Sequence, residues 1–312
     1  MTNRYRERHQ GWSAKHFFAW YRREGGRRSY SWVKGRLQTA QLVPRAPRRG
    51  AHRKRRDRAP LPGMLLHQDG SKHEWVPGQH WDLIVTMDDA TGEHYAMQFV
   101  EEEGTDSSFQ GVAVVIRTRG LFSLLYTDRA SHYWFTPKAG GKVDKRTPTQ
   151  FGRALQRLGI EMIAAYSPQA RGRSERAFRT HQERLVRELA AAGITDLAAA
   201  NRYLEEHYRP AFNAEFAQPA LEPGSAFVPW IGDGLDEILC EQFERRVGAD
   251  NCVHFEGRVL QIPRQRHRCH FVKLTVRVHR HPDGTLAIFH GPRCLARYTA
   301  DGRLQEILRH AA

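Results

Sequence analysis

The chain has 312 residues with 49 Lys and Arg against 34 Asp and Glu, a formal charge of +15. That length accommodates about two domains, and the basic excess points to a polyanionic partner, with nucleic acid ahead of an anionic membrane surface. There is no run of about 18 apolar residues, and the arginine-rich N-terminus has no signal-peptide-like apolar segment, so a soluble cytoplasmic protein with no membrane partner is expected.

In chain order, residues 1–43 carry two short helical patterns. Ser13 to Arg22 holds Phe17, Phe18, Trp20 and Tyr21, and Ser29 to Leu42 places Val33, Leu37 and Ala40 at helical spacing behind a capping serine. Joined through Gly25-Gly26, they read as part of a helix-turn-helix DNA-binding region. Residues 44–62, PRAPRRGAHRKRRDRAPLP, have almost no apolar content and cannot fold alone. Arg53, Lys54, Arg55 and Arg56 in this basic linker are expected to contact DNA phosphates.

Residues 63–218 read as an α/β domain. Met64 to Gln68 is a short strand ending at Asp69; Trp81 to Met87 and His94 to Val100 flank the turn DDATG as a hairpin. A helix over Ser107 to Arg119, a strand over Leu121 to Thr127 ending at Asp128, a helix over Pro148 to Leu158 and a strand over Ile160 to Tyr166 follow. A helix then starts at Ser167-Pro168, a capping residue followed by a first-turn proline. Residues 219–312 carry short strand patterns at Arg258 to Ile262, Phe271 to Val278, Thr285 to Phe289 and Cys294 to Tyr298, which predict a small C-terminal β-barrel. Cys240, Cys252, Cys269 and Cys294 contain no CxxC pair and read as reduced thiols. The spacing of Cys252, His254, Cys269 and His270 matches no common zinc module.

Three carboxylates occupy comparable places: Asp69 and Asp128 at strand ends, and Glu175 about two turns into the last core helix. Sites in α/β sheets gather at the carboxyl ends of strands, and three converging acids make a hard oxygen donor set suited to Mg²⁺ or Mn²⁺. Asp88 and Asp89 read as turn residues, and Glu101 to Glu103 as a solvated acidic run. Around Glu175, Arg171, Arg173, Arg176 and Arg179 read as phosphate contacts rather than a surface ion-pair ladder. His181 and Gln182 continue that polar face.

The motifs LHQDGS, LYTDRAS and SPQARGRSER, in this order of elements, resemble the RNase H-like catalytic core of DDE transposases and retroviral integrases. The stretches HQDGSKHEW, MDDATG, TQFGRALQRLGIEMI and SPQARGRSERAFRTHQERLVREL, with the later Ala200-Asn201, resemble bacterial ISNCY-type insertion-sequence transposases, over about residues 12 to 235. The resemblance implies a mixed sheet flanked by helices. It also implies two divalent cations held by Asp69, Asp128 and Glu175, with Asp69 bridging both, and a transposase that cleaves and joins element ends and target DNA as a homo-oligomer beside the bacterial nucleoid. Two departures concern the second acid: 46 residues separate Asp128 from Glu175, more than is usual in the family, and Arg129-Ala130-Ser131 replaces the common Asn-Gly. The N-terminus is expected to begin inside a helix-turn-helix region that family members carry in fuller form. Hence the alternatives are an inactive or domesticated DNA-binding descendant, or an RNase H-like nuclease.

Overall fold

The structure is a computed structural model and describes residues 1–45, 57–138, 140–166 and 172–305. Two compact units divide the chain: Met1–Glu103 with Ala165–Ala226, and Gly104–Ala164 with Phe227–Ala312.

The first unit opens with α1 (Thr2–Arg8), α2 (Ala14–Arg23) and α3 (Tyr30–Thr39). Ser13 and Ser29 cap α2 and α3, their hydroxyls accepting from the amides of His16 and Trp32. The segment TNRYRER has no apolar stripe and gave no sequence signal, yet Tyr5 of α1 is buried with Trp12, Phe17, Val33, Leu37 and Val43. This third helix closes a core that two helices could not.

Next come β1 (Leu65–Val76), β2 (Gln79–Asp88) and β3 (His94–Val100), an antiparallel ladder in the order β3-β2-β1. The expected hairpin is present, but the first strand is far longer than Met64 to Gln68. It continues through Asp69 to Val76, so Asp69 stands inside the strand, opposite Val85. The polar run SKHE concealed the continuation, because only Trp75 and Val76 at its far end are fully buried.

On the face carrying Trp75, Trp81, Leu83, Val85, Met97 and Phe99 lies α6 (Ser174–Ala191), which contributes Phe178, Leu185 and Leu189 to the same core. Their spacings of seven and four place them on one helix stripe. Helix α7 (Leu197–Tyr203), a π-helical turn (Leu204–Tyr208) and α8 (Arg209–Phe216) complete this layer.

Two asparagines protect the outer strand. The amide of Asn201 accepts from Phe99 N and donates to Phe99 O, at 2.7 and 3.0 Å; Asn213 does the same at His94, at 2.8 and 2.9 Å. Each side chain takes the place of a neighbouring strand's backbone and shields an edge open to further pairing.

Beneath α6, His94 and His181 form a buried pair, with 3.1 Å between their Nε2 atoms. The Gly92 carbonyl, 3.0 Å from His94 Nδ1, can only accept, so that nitrogen carries the proton and His94 Nε2 is the acceptor. His181 Nε2–H therefore donates to His94, and His181 Nδ1 accepts from the Tyr208 hydroxyl at 3.0 Å. Burial pushes His94 down to about 4, with Arg209 adding to the effect, and holds His181 well below its ordinary value, with His94 and Arg184 adding. Both rings are neutral in the folded chain, whereas unfolded histidines protonate near 6.5. Stability present above pH 6.5 is thus lost as pH falls toward 4, by about 3 kcal/mol for His94 alone. Denaturant titrations across this window check it; a pH-independent unfolding midpoint would contradict the neutral pair.

The second unit holds α4 (Thr105–Thr118), β4 (Leu124–Thr127), α5 (Gln150–Arg157) and β5 (Glu161–Ala164), with β4 and β5 paired in parallel. The fold is therefore mixed α/β. The succession β1-β2-β3-α4-β4-α5-β5-α6 follows the element order read from the sequence for an integrase-type core.

After α9 (Leu235–Ile238), the C-terminal part of the second unit contains β6 (Glu241–Arg246), β7 (Cys252–Phe255), β8 (Arg258–Gln261), β9 (Thr275–Arg280), β10 (Leu286–His290), β11 (Arg293–Tyr298) and β12 (Leu304–Gln305). Five of these form an antiparallel sheet, β12-β11-β10-β9-β6, while β7 and β8 form a hairpin; both pack on one core containing Val253, Leu260, Val278, Ile288 and Leu295. The outer strand β6 is covered like β3: Gln150 of α5 donates to Gln242 O at 2.8 Å and accepts from Gln242 N at 3.0 Å.

Candidate catalytic and nucleic-acid site

Side chains alternate along a strand, so His67, Asp69, Ser71 and Trp75 of β1 share one face, the face covered by α6. Asp69 is 7% exposed and sits in a cross-strand row with Val85 and Met97, a carboxylate among apolar neighbours. Its Oδ1 accepts from Gly70 N at 3.1 Å. A Cβ at position 70 would meet the Glu103 carboxylate, the far end of a flexible side chain. Glu103, read as part of a solvated run, sets its carboxylate against Gly70, on the strand face opposite that of Asp69; its own backbone amide donates to Asp82 at 2.9 Å.

Glu175 is exposed in the first turn of α6, where the helix dipole favours a carboxylate. It was expected two turns into a helix starting at Ser167. Ser167, Pro168 and Arg171 lie outside the described residues, as do Arg53, Lys54, Arg55 and Arg56.

Two ties fix α6 along β1. At one end Arg173 donates to Asp89 Oδ1, which also bonds His67 Nε2 at 2.7 Å, while Asp89 Oδ2 accepts from Ala59 N at 2.7 Å. At the other, Gln182 Nε2 donates to Ser71 Oγ at 3.0 Å. From His67 to Ser71 is about 13 Å of strand, and from Arg173 to Gln182 about 13 Å of helix. The spans match, with Asp69 between the ties on one element and Glu175 between them on the other. Glu175 and Gln182 are seven residues apart and share a helix face, so the face bonded to Ser71 also carries Glu175.

Asp88 and Asp89 were both read as turn residues, and only Asp88 fits: it accepts from Thr91 N and Oγ1 at 2.8 and 3.0 Å and from Gly63 N at 2.9 Å. Asp89 is fully buried. Burial alone would raise its pKa, but the bonds from His67, Ala59 and Arg173 more than offset this and hold the carboxyl far below the usual range. Its role depends on residue 173, 84 positions away, and left no local sequence signal.

Arg173, grouped above with the phosphate contacts, is 14% exposed and bound to Asp89; its charge is directed inward. Arg176 and Arg179 are exposed on the same turns as Glu175, with Arg176 Nε on Gly172 O at 2.6 Å. His181 does not continue the polar face. It lies between Phe178 and Leu185 on the buried stripe and is fully enclosed.

Asp128 belongs to the second unit, directly after β4. Its Oδ1 accepts from Ala130 N at 2.9 Å, closing an Asx turn, and Thr127 is fixed by a 2.9 Å bond from Trp134 Nε1. Arg129, in place of the common Asn, donates to Gly141 O at 3.0 Å and so ties the long 137–146 segment to the acid's turn. Burial lowers the pKa of His132, while the nearby Asp128 charge works in the opposite direction. No metal-ligand spacing suggested His132.

No helix among the described residues is long and apolar enough to cross a membrane. No protein-family model matches the chain. It is 32% identical over 252 residues to a protein named as a transposase, y4bF, of Sinorhizobium fredii, covering 79% of this chain and 54% of that protein. It is 27% identical over 220 residues to the transposase for insertion sequence IS1202 of Streptococcus pneumoniae, covering 70% of this chain and 47% of the relative. The chain thus spans about half the length of the curated relatives it matches. Among solved structures it is similar, at 14% identity and a TM-score of 0.42, to a chain of the simian T-cell lymphotropic virus intasome complexed with a PP2A regulatory subunit, over 86% of this chain and 88% of that one. A second is the HTLV-2 integrase catalytic core domain in complex with magnesium, at 14% identity and a TM-score of 0.36, over 46% of this chain and 85% of that one. Over 79% and 70% of its length, then, the chain is similar in sequence to two proteins named as transposases.

Proposed function

We propose that this chain is an insertion-sequence transposase of the ISNCY type that cleaves the ends of its element and joins them to target DNA, with Asp69, Asp128 and Glu175 as the metal-binding triad. The carrying observation is the pair of ties that brackets Asp69 and Glu175 on facing surfaces of β1 and α6. The donor set fits the group it is to hold: three carboxylates are hard ligands of the kind Mg²⁺ and Mn²⁺ take, and neither thiol nor imidazole is among them. Two such ions supply an activated water or 3′ hydroxyl on one side of a phosphodiester and charge stabilisation of the leaving oxygen on the other. The protein's part is positional: Asp89 holds Arg173, Arg173 fixes the start of α6, and Glu175 follows two residues later.

Arg176 and Arg179 face solvent beside Glu175 and act as phosphate contacts, joined by Arg171 and the basic linker with Arg53, Lys54, Arg55 and Arg56. Residues 1–43 assist in DNA binding, and the active form is a homo-oligomer on paired DNA ends in the bacterial cytoplasm. Replacing Arg176 or Arg179 by alanine should weaken duplex binding at every sequence and reduce the slope of log affinity against log salt by about 1 each. Arg173→Gln should cost stability and leave that slope unchanged. The defining assay is Mg²⁺-dependent cleavage and joining on duplexes carrying the element's own ends. Sequence-specific binding without any cleavage would favour the non-catalytic DNA-binding descendant, and cleavage without joining the RNase H-like nuclease.

A further inference from the structure

A second group of metal-ligating side chains lies in the C-terminal part of the second unit, built from elements that the triad does not use. The short helix α9 carries Glu237, Cys240 follows in the bend between α9 and β6, and the β6–β9 ladder sets His279 opposite Gln242. One ligand atom from each of Glu237, Cys240 and His279 lies within 4.8 Å of the other two. His281, two residues beyond His279, places its Nε2 3.7 Å from Glu237 Oε2.

This corner is buried: Cys240 is 0%, His279 4% and His281 7% exposed. His279 Nε2 and His281 Nε2 are enclosed without a hydrogen-bond partner, and an unsatisfied buried polar atom is costly. His279 Nδ1 bonds Glu237 Oε2 at 2.9 Å, while Arg297 engages the other carboxylate oxygen, Oε1. That division leaves Oε2 facing the two imidazoles. The His279 ring is stacked on Phe289 with centroids 4.2 Å apart, and Arg153 bonds the Cys240 and Ile238 carbonyls, which fixes the turn leading into β6.

We propose that Glu237, Cys240, His279 and His281 form a closed, four-ligand Zn²⁺ site that staples α9 and β6 to β9. A thiolate with two imidazoles and a carboxylate is a borderline-soft donor set, which selects Zn²⁺ over the hard cations suited to three carboxylates. Zinc bond lengths of about 2.0–2.3 Å place tetrahedral ligand atoms about 3.5 Å apart, so the group closes by about 1 Å on binding, within reach of side-chain rotation. Arg297 and Arg153 orient the ligands from outside.

The test is Co²⁺ titration of the metal-stripped full chain, followed by absorption. The expected result is one equivalent of Co²⁺ with a thiolate-to-metal charge-transfer band and intense tetrahedral d–d bands, displaced by Zn²⁺ and not by Mg²⁺. Cys240→Ser removes the charge-transfer band, Cys252→Ser, Cys269→Ser and Cys294→Ser retain it, and His281→Asn weakens Co²⁺ binding by at least about tenfold. Asp69→Asn leaves the spectrum unchanged. If Cys240→Ser does not fold, the other three cysteine variants assign the thiolate by elimination. The absence of a stoichiometric thiolate band, or its loss in any of those three, overturns the site and leaves an ion-pair cluster of Glu237, His279 and Arg297 only.

Discussion

Replacing Asp69 by asparagine should lower the proposed Mg²⁺-dependent strand cleavage by about 10³-fold or more and leave DNA binding intact. A divalent cation contributes several kcal/mol of charge stabilisation to a phosphoryl-transfer transition state, and each 1.36 kcal/mol is about a factor of ten in rate. Asp128→Asn and Glu175→Gln carry the same expectation, because each removes one of the proposed anionic ligands without changing side-chain size. Affinity for duplex DNA should hold or rise in all three, since a negative charge is removed beside the phosphates. Single-turnover cleavage and equilibrium binding, measured on the same preparations, check both halves. Glu103→Gln is the informative control, because the Glu103 carboxylate sits against Gly70, next to Asp69 along the strand but on the opposite face. It should retain cleavage; if it abolishes cleavage while Glu175→Gln does not, the third acid is Glu103.

Asp89→Asn should destabilise the first unit by about 3–5 kcal/mol, the cost of removing one partner from a buried charge pair. Arg173 loses its counter-charge, and His67 and the Ala59 amide lose an anionic acceptor. The depressed carboxyl contributes this stability above its unfolded pKa of about 3.9, so the deficit is fully present at neutral pH and disappears only in strong acid, where the wild-type group protonates as well. A double-mutant cycle with Arg173→Gln, read by denaturant unfolding at pH 7, isolates the coupling; additive costs would mean that the pair contributes nothing as a pair. The same variant should lose cleavage more than DNA binding, because Glu175 follows Arg173 by two residues while Arg176 and Arg179 remain exposed.

The features legible in the sequence were those with local physical signatures. The strand-like runs WDLIVTM and HYAMQFV on either side of the turn DDATG marked the hairpin, Ser13 and Ser29 marked two helix caps, and Phe178, Leu185 and Leu189 marked the buried stripe of α6. Features that depend on contacts distant in sequence were not legible. The strand through Ser71 and His73 is polar and half-exposed, so its period of two could not be seen against the solvent-facing residues beside it. Asp89 resembles any turn aspartate until Arg173 and His67 are brought to it. His181 looked like part of a polar helix face because histidine scores as polar; its place between Phe178 and Leu185 was the signal that favoured burial. The Glu237, Cys240 and His279 group spans 42 positions with no short ligand motif, and only the β6–β9 register joins its halves.

The proposed function has Asp69, Asp128 and Glu175 share divalent cations. Anomalous scattering from Mn²⁺ in crystals of the full chain bound to a duplex of its element end tests this most directly. The predicted result is two manganese peaks, both touching the Asp69 carboxylate, with Asp128 completing one and Glu175 the other. Ordered Mn²⁺ that contacts none of these side chains, or Asp128 remote from an ion held by Asp69, would contradict it.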